Sequence, residues 1–542
     1  MIATIRIVVL LLIVISAVAV AARRWKIPPA ILLMLTGIVL ALVPGLPRLE
    51  LAPEFALLVV LPPLIYSSAV AMSWREFKFS LRPISLLAVG CVLFTTVAVA
   101  ATCRWLLGFS WPVGFVLGAI VSPPDPVAPL AIARRMHLPK RILVVLEGEG
   151  LANDATALIL YRFSVTAVSA GVFSFGPAVS TFVLILAGEI LWGVGCGWLM
   201  LRLRRWVDDP PVEIMLSLLT PFLAYWPPVH LGGSGVLATV TAGLYISWNG
   251  LELISPATRL QGVFFWDFLV YLIEGMVFLI TGLQARTLLA DITSSSKADL
   301  ALAAIVVSVT VIVTRFVWTF PATYLPRWLI PSLRRKDPAP PWQWPFVLGY
   351  TGMRGIVTVA AALAIPLATA SGAPFPHRSR VIFLAFVVVL VTLVGQGLLL
   401  PAVLRWLGLA NTGRQERQAS RSEESRAARQ ALEAATGRLE ALCREQQLPE
   451  ELVRTLRAYY RERMTAVEHR YDSNERHRRL VELTDDIKLR LIEAERQLIN
   501  RLYREGKLED EGRRRIERTL DLRVADIVAQ FPEPPKPVTP RP

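Results

Sequence analysis

Ser122-Pro123-Pro124-Asp125-Pro126 falls in the middle of an otherwise apolar stretch, residues 112–133. Three prolines in four positions remove backbone donors and clash with the preceding turn, so a continuous helix is untenable there. Unwound backbone at membrane depth survives only where it is buried in protein or lines a wet cavity. A carboxylate set into such a break has freed carbonyls and half-helix ends beside it, the groups that coordinate a cation. Ser122, Pro123, Pro124 and Pro126 are therefore read as a helix break and Asp125 as a cation ligand. The plainer alternative is a proline kink in which Asp125 only caps the second half-helix.

The surroundings of that break are those of a polytopic membrane protein. More than half of the 542 residues are apolar (54%), more than a water-facing globule needs. A bilayer core takes about 20 apolar residues per helix. The apolar runs predict thirteen spans, at 5–22, 27–44, 53–72, 83–107, 112–133, 142–167, 177–201, 212–227, 231–248, 267–286, 299–322, 345–370 and 380–408. The first is read as a retained span, since its charges follow the apolar run instead of leading it. Residues 411–530 differ in kind: they are rich in Glu, Arg, Ala and Leu at helical spacing, with amphipathic segments at Leu480–Tyr503 and Lys507–Leu522. The proline-rich end, 531–542, is expected to be disordered.

Net charge is +15, yet residues 411–542 carry 28 basic against 25 acidic residues, so the excess lies in the loops between spans. Arg23, Arg24 and Lys26; Arg75, Lys78 and Arg82; Arg134, Arg135, Lys140 and Arg141; Arg202, Arg204 and Arg205; Arg259; and Arg327, Arg334, Arg335 and Lys336 all fall in alternate loops. The opposite loops hold Arg48, Lys297, Arg378, Arg380 and little else. This asymmetry predicts an outside N-terminus and a cytoplasmic tail, and it argues for topology against nucleic-acid binding. The four cysteines (91, 103, 196 and 443) lack metal-ligand spacing.

Two further segments concentrate polar groups inside spans, where a charge costs at least ~2.5–3.5 kcal/mol. Glu147-Gly148-Glu149-Gly150-Leu151-Ala152-Asn153-Asp154 opens the sixth span. On a helix Asp154 and Glu149 lie about 140° apart. They divide the work: Asp154 meets the ion, while Glu149 turns into the bundle and needs a basic partner. Gly349-Tyr350-Thr351-Gly352-Met353-Arg354-Gly355, near the start of the twelfth span, supplies Arg354 for that pair. Its glycines and Thr351 mark a second break. Breaks seven spans apart fit an inverted repeat, spans one to six against eight to thirteen. Glu189, Arg162, Glu274 and Arg315 are read as structural charges that pair among themselves or lie near interfaces.

These three segments carry a resemblance. The Glu-Gly-Glu-x-x-x-Asn-Asp run (147–154), the Ser-x-x-Asp-Pro break (122–126) and Met-Arg-Gly (353–355) resemble those of the monovalent cation/proton antiporters of the electroneutral branch. These are the bacterial relatives of animal sodium/proton exchangers. Leu61-Pro62-Pro63-Leu64 and Thr258-Arg259-Leu260-Gln261 are similar too, so that the likeness covers about 1–408. It implies an all-α fold of about thirteen spans, with broken helices crossing at mid-membrane. Spans four to six and eleven to thirteen would form a core, the other spans of 1–410 would form a dimer domain, and the core would move like an elevator in a homodimer. It implies exchange of Na+ or K+ for H+ across a bacterial inner membrane, one for one given the Asn-Asp pair, with no cofactor and no enzymatic activity. By resemblance, Asp154 and Asp125 would hold the monovalent cation, Asn153 would bridge the unwound segments and Glu149 would hold Arg354. The chain departs from some members at Gly150, where a serine or threonine hydroxyl is missing, at Pro124, where threonine is frequent, and at Tyr66-Ser67-Ser68, where a carboxylate is replaced. A cation-coupled solute symporter is the main rival, although no cluster for an anionic substrate stands out. A non-transporting sensor acting through the charged tail is the other.

Overall fold

The computed structural model describes residues 2–44, 52–170, 175–207, 209–250, 253–290, 296–446, 448–471 and 475–529. The expected disorder of 531–542 and the loop around Arg48 lie outside these residues. The described chain is helical; one isolated bridge, Ala368 with Pro374, is the only extended pairing among the described residues. It divides into two compact units, residues 1–414 and 415–542.

The principal helices of the first unit are α1 (Ile2–Trp25), α2 (Pro29–Ala41), α3 (Pro53–Ala71), α4 (Leu81–Leu106), α5 (Trp111–Val121), α6 (Val127–Arg135), α7 (Lys140–Ala170), α8 (Phe175–Arg204), α9 (Pro210–His230), α10 (Val236–Asn249), α11 (Pro256–Leu283), α12 (Lys297–Leu329), α13 (Gln343–Tyr350), α14 (Ile356–Leu363) and α15 (Arg378–Trp406). Prolines open α2, α3, α9 and α11, where a missing N–H costs nothing and φ is already helical. Ser255 adds a cap to α11, its hydroxyl accepting from the Thr258 amide at 3.2 Å. Eight of the described helices are long and apolar enough to cross a bilayer. Leu184 and Leu191 of α8 and Val263 and Phe264 of α11 face outward and are largely exposed, a pattern that suits hydrocarbon and not water.

Close helix packing comes from small residues, since apolar burial gives little drive between helices already in lipid. On α2 and α11 the backbones meet at Gly37 and Gly282, where a methyl on either would lie 2.9 Å from the other's Cα. On α5, Gly118 packs directly against the Thr96 backbone of α4. The two expected breaks are real: α5 ends at Val121 and α6 begins at Val127, while α13 ends at Tyr350 and α14 begins at Ile356. The tenth run begins earlier than expected, at Pro256 and not at 267, because the polar turn Thr258-Arg259-Leu260-Gln261 continues the helix.

Charged loops expected on one side do converge. Asp337 accepts from Arg82 before the fourth span at 2.7 Å and from Arg327 at the end of α12 at 2.8 Å. It also pairs with Arg141 at the start of α7 at 2.8 Å. Partial burial works against ionising Asp337. The Arg141 hydrogen bond and the charges of Arg141, Arg327 and Arg82 outweigh it and hold the carboxyl below its ordinary value.

The second unit consists of the remainder of α16 (Leu409–Gln446) with α17 (Glu450–Tyr471), α18 (Glu475–Arg504) and α19 (Asp510–Ala529). Ile492, Leu520 and Ile527 form its small apolar cluster. Helix-surface pairs such as Arg457–Glu440 at 2.8 Å cover the outside and contribute little, because water and salt screen exposed charges.

Candidate functional site

Two interrupted helices meet here, and each leaves carbonyls at one half-helix end and amides at the next. Asp125 serves two amide ends at once. Its Oδ1 accepts from the Val127 amide at 2.9 Å, capping α6, and its Oδ2 accepts from the Ile356 amide at 3.4 Å, at the start of α14. The Asp125 amide donates to the Met353 carbonyl at 2.6 Å. Its carboxylate lies directly over Gly355, where any side chain would collide with it. Asp125 is thus more than the local cap of the plainer reading; it stitches one break to the other.

Arg354 does the opposite work. Its Nε donates to the Val121 carbonyl at 2.9 Å, where α5 ends, and another guanidinium nitrogen meets the Gly352 carbonyl. A cation at a helix C-terminus is favoured by the macrodipole. The Arg354 amide donates to Thr392 Oγ1 at 3.0 Å. Thr351 turns back onto its own helix, donating to the Val347 carbonyl at 2.8 Å, and Ser122 does likewise to Ala119 at 3.1 Å.

The expected Glu149–Arg354 pair is not formed. Glu149 is gripped by Arg315 of α12 through two bonds, Nη1 to Oε1 at 2.6 Å and Nη2 to Oε2 at 2.8 Å, with both side chains about 2% exposed. Arg315 Nε also donates to the Leu348 carbonyl near the end of α13 at 2.9 Å. The physical reason is placement: α12 offers a bidentate fork to Glu149, whereas the Arg354 guanidinium is occupied at the end of α5. Arg315 and Thr392 are the residues that sequence reasoning missed in these roles. A lone arginine in the apolar run 299–322 was the available signal for the first. A single threonine in an apolar helix gave none for the second.

Asn153 is fully buried and its amide nitrogen donates to the Pro124 carbonyl at 2.6 Å, tying α7 to the break. Asp154, the next residue, is partly exposed, has no hydrogen bond or ion pair among the described residues, and lies within electrostatic reach of Asp125. Gly150 explains one departure from the resembled pattern: the Pro126 ring sits against it and leaves no room for a side chain. Glu147 points to the rim, where it pairs with Arg134 at 3.1 Å.

Among the charges of this crossing, Glu149 and Arg315 cancel, and the Arg354 guanidinium is taken up by the Val121 and Gly352 carbonyls. Asp125 and Asp154 lie within electrostatic reach of each other and have no ion pair among the described residues, so a proton or a monovalent cation held between them would relieve their repulsion.

Residues 8–406 match the model of the transmembrane sodium/hydrogen exchanger family. The chain belongs to that family. The exchanger is 34% identical over 519 residues to an uncharacterized Na(+)/H(+) exchanger of Mycobacterium tuberculosis, covering 94% of this chain and 93% of that protein. It is 32% identical to the sodium, potassium, lithium and rubidium/H(+) antiporter of Bacillus subtilis, over 73% of this chain and 60% of that one. Its fold matches the sodium proton antiporter MjNhaP1 of Methanocaldococcus jannaschii with a TM-score of 0.58 at 17% identity, covering 75% of this chain and 97% of that chain. The exchanger is accordingly a multi-pass membrane protein from a family of transporters.

Of the charges read as structural, Glu189 meets backbone amides in place of another charge. Glu189 of α8 binds backbone: Oε1 accepts from the Ser234 and Gly235 amides at 2.5 and 3.0 Å, and Oε2 from Leu237 at 3.0 Å. It thereby neutralises the amide end of α10, a structural task.

Proposed function

We propose that this sodium/proton exchanger works electroneutrally, with one monovalent cation and one proton competing for the Asp125–Asp154 pair. The observation that carries this reading is the pair of acids at the crossing, Asp125 and Asp154, which lie within electrostatic reach of each other and have no basic partner among the described residues. Burial disfavours a bare carboxylate, and a bound cation opposes protonation. A site that accepts either ligand but not both couples the two gradients by competition alone. Asp154 is the acid with no other bond, so it is the group that changes partner, while Asp125 keeps the half-helix ends in register. Asn153 bridges the segments.

With Gly150 and Pro124 offering no hydroxyl, the cation meets few side-chain oxygens besides the two carboxylates. We take this to favour a broad alkali-cation range, in keeping with the name of the Bacillus subtilis relative. The same reading places thirteen spans in the inner membrane of a bacterium, with the N-terminus outside and the helical tail in the cytoplasm. It also treats the other spans of 1–410 as the dimer contact against which the core moves.

The test is cation-induced dissipation of an imposed pH gradient in proteoliposomes, comparing Na+, K+ and Li+ for the wild type and Asp154→Asn. The expected result is a response lost in the variant and unaffected by clamping the voltage at zero. A response that depends on the membrane voltage overturns electroneutrality. One that survives Asp154→Asn overturns the site.

A further inference from the structure

One membrane acid has no task in the crossing. Glu274 lies on α11 in the apolar run Tyr271–Thr281 and, unlike Glu149, Glu189 and Glu147, has no ion pair or hydrogen bond among the described residues. A carboxylate kept without a partner in a membrane span is costly, which makes it a candidate for function. It lines a cavity of about 70 Å³, room for about five waters at ~10–15 Å³ each.

The cavity's position supplies the argument. One wall is Val127, whose amide is held by Asp125, followed by Ala131 further along α6. Another is Pro28, two residues beyond Lys26, whose carbonyl accepts from Arg135 at 2.7 Å on the basic rim. Glu274 is the only carboxylate in the lining; the remainder, apart from Tyr271, is apolar. Asp125 lies within its electrostatic reach. The pocket therefore lies between the segment next to the Lys26–Arg135 contact and the start of α6 that Asp125 caps, with one carboxyl group on its wall.

We propose that Glu274 is a cation-attracting residue of the approach path, stripping a monovalent cation from the Lys26–Arg135 side and passing it to Asp125 and Asp154. It is a positioning residue carried by α11, a helix distinct from those that hold the two carboxylates. Without it the cation would cross apolar walls past a rim that repels it. The inference rests on the reading that Asp125 and Asp154 hold the ion.

The experiment measures Na+-driven proton movement by the full chain in everted membrane vesicles, whose outer surface is the cytoplasmic face. Glu274→Gln is expected to raise the apparent KM for Na+ about tenfold, equivalent to ~1.4 kcal/mol, with less than about twofold loss of maximal rate. Glu274→Asp keeps a KM near that of the wild type. The difference between Glu274→Gln and wild type should shrink as choline chloride screens the charge, a response that a packing role would not give. A wild-type KM in Glu274→Gln, or a loss of maximal rate at unchanged KM, overturns the proposal. Asp154→Asn in the same vesicles isolates the underlying reading, since its retained exchange would sink the site whatever Glu274 does. Should Glu274→Gln fail to reach the membrane, Glu274→Ser takes its place with the same two outcomes.

Discussion

Replacing Arg315 by methionine removes the fork from Glu149 and leaves a carboxylate about 2% exposed with no counter-charge. At the observed 2.6 and 2.8 Å contacts, charge centres about 4 Å apart attract by ~4 kcal/mol at an effective dielectric of 20. Breaking one side of a buried pair costs ~3–5 kcal/mol by experience with other proteins. The membrane unit has 414 residues. At ~2.1 cal/mol/K per residue its unfolding entropy is on the order of 0.9 kcal/mol/K, so the loss should lower the melting temperature by about 3–6 °C. The assay is a double-mutant cycle read by the fraction of monodisperse protein in detergent after heating. Glu149→Gln with Arg315→Met should be less damaged than the sum of the single changes, by ~0.5–3 kcal/mol. Glu149→Gln with Arg354→Met should be additive, because Arg354 serves the end of α5. Coupling to Arg354 and none to Arg315 would refute the assignment and restore the pairing expected from sequence.

Gly355→Ala drives a methyl into the Asp125 carboxylate, and transport in proteoliposomes should fall more than about tenfold, the equivalent of ~1.4 kcal/mol; near-normal rates would mean the carboxylate is free to move. Gly150→Ser meets the Pro126 ring and should destabilise by ~1–3 kcal/mol, as overpacking does, measured by the same heating assay; a stable variant with sharpened Na+ selectivity would contradict this. Asp337→Asn tests the arginine cluster by pH. The folded carboxyl titrates below its ordinary value, so its contribution is complete above about pH 4 and is lost as pH falls through the lower folded value. The wild type should lose thermal stability over that acid window and Asp337→Asn should not, starting lower at neutral pH; parallel pH curves would show the cluster contributes nothing.

Whatever depends on local chemistry can be read directly off the chain. Three prolines in four positions, at 123, 124 and 126, withdraw too many backbone donors for a helix to continue, and an apolar run of about twenty residues is long enough to span a bilayer. The spacing of Glu149 and Asp154 on one helix puts them on different faces, so the two could be assigned different tasks from the chain alone. Loop charge grouped Arg82, Arg141 and Arg327 on one side, and their meeting at Asp337 agrees.

Tertiary structure decided which charge meets which. A buried acid requires a counter-charge, but that rule is blind to distance along the chain, and two arginines, 315 and 354, satisfied it equally well. Only the tertiary fold that brings Arg315 of α12 to Glu149 of α7 makes that pair, and only the crossing of the breaks sends Arg354 to the carbonyl of Val121. The same holds for Glu274: its run reads like any other span, and what singles it out is a cavity shared by α2, α6 and α11. Pairings across helices are set by global packing, in which every side chain competes for the same few partners, so no local pattern announces them.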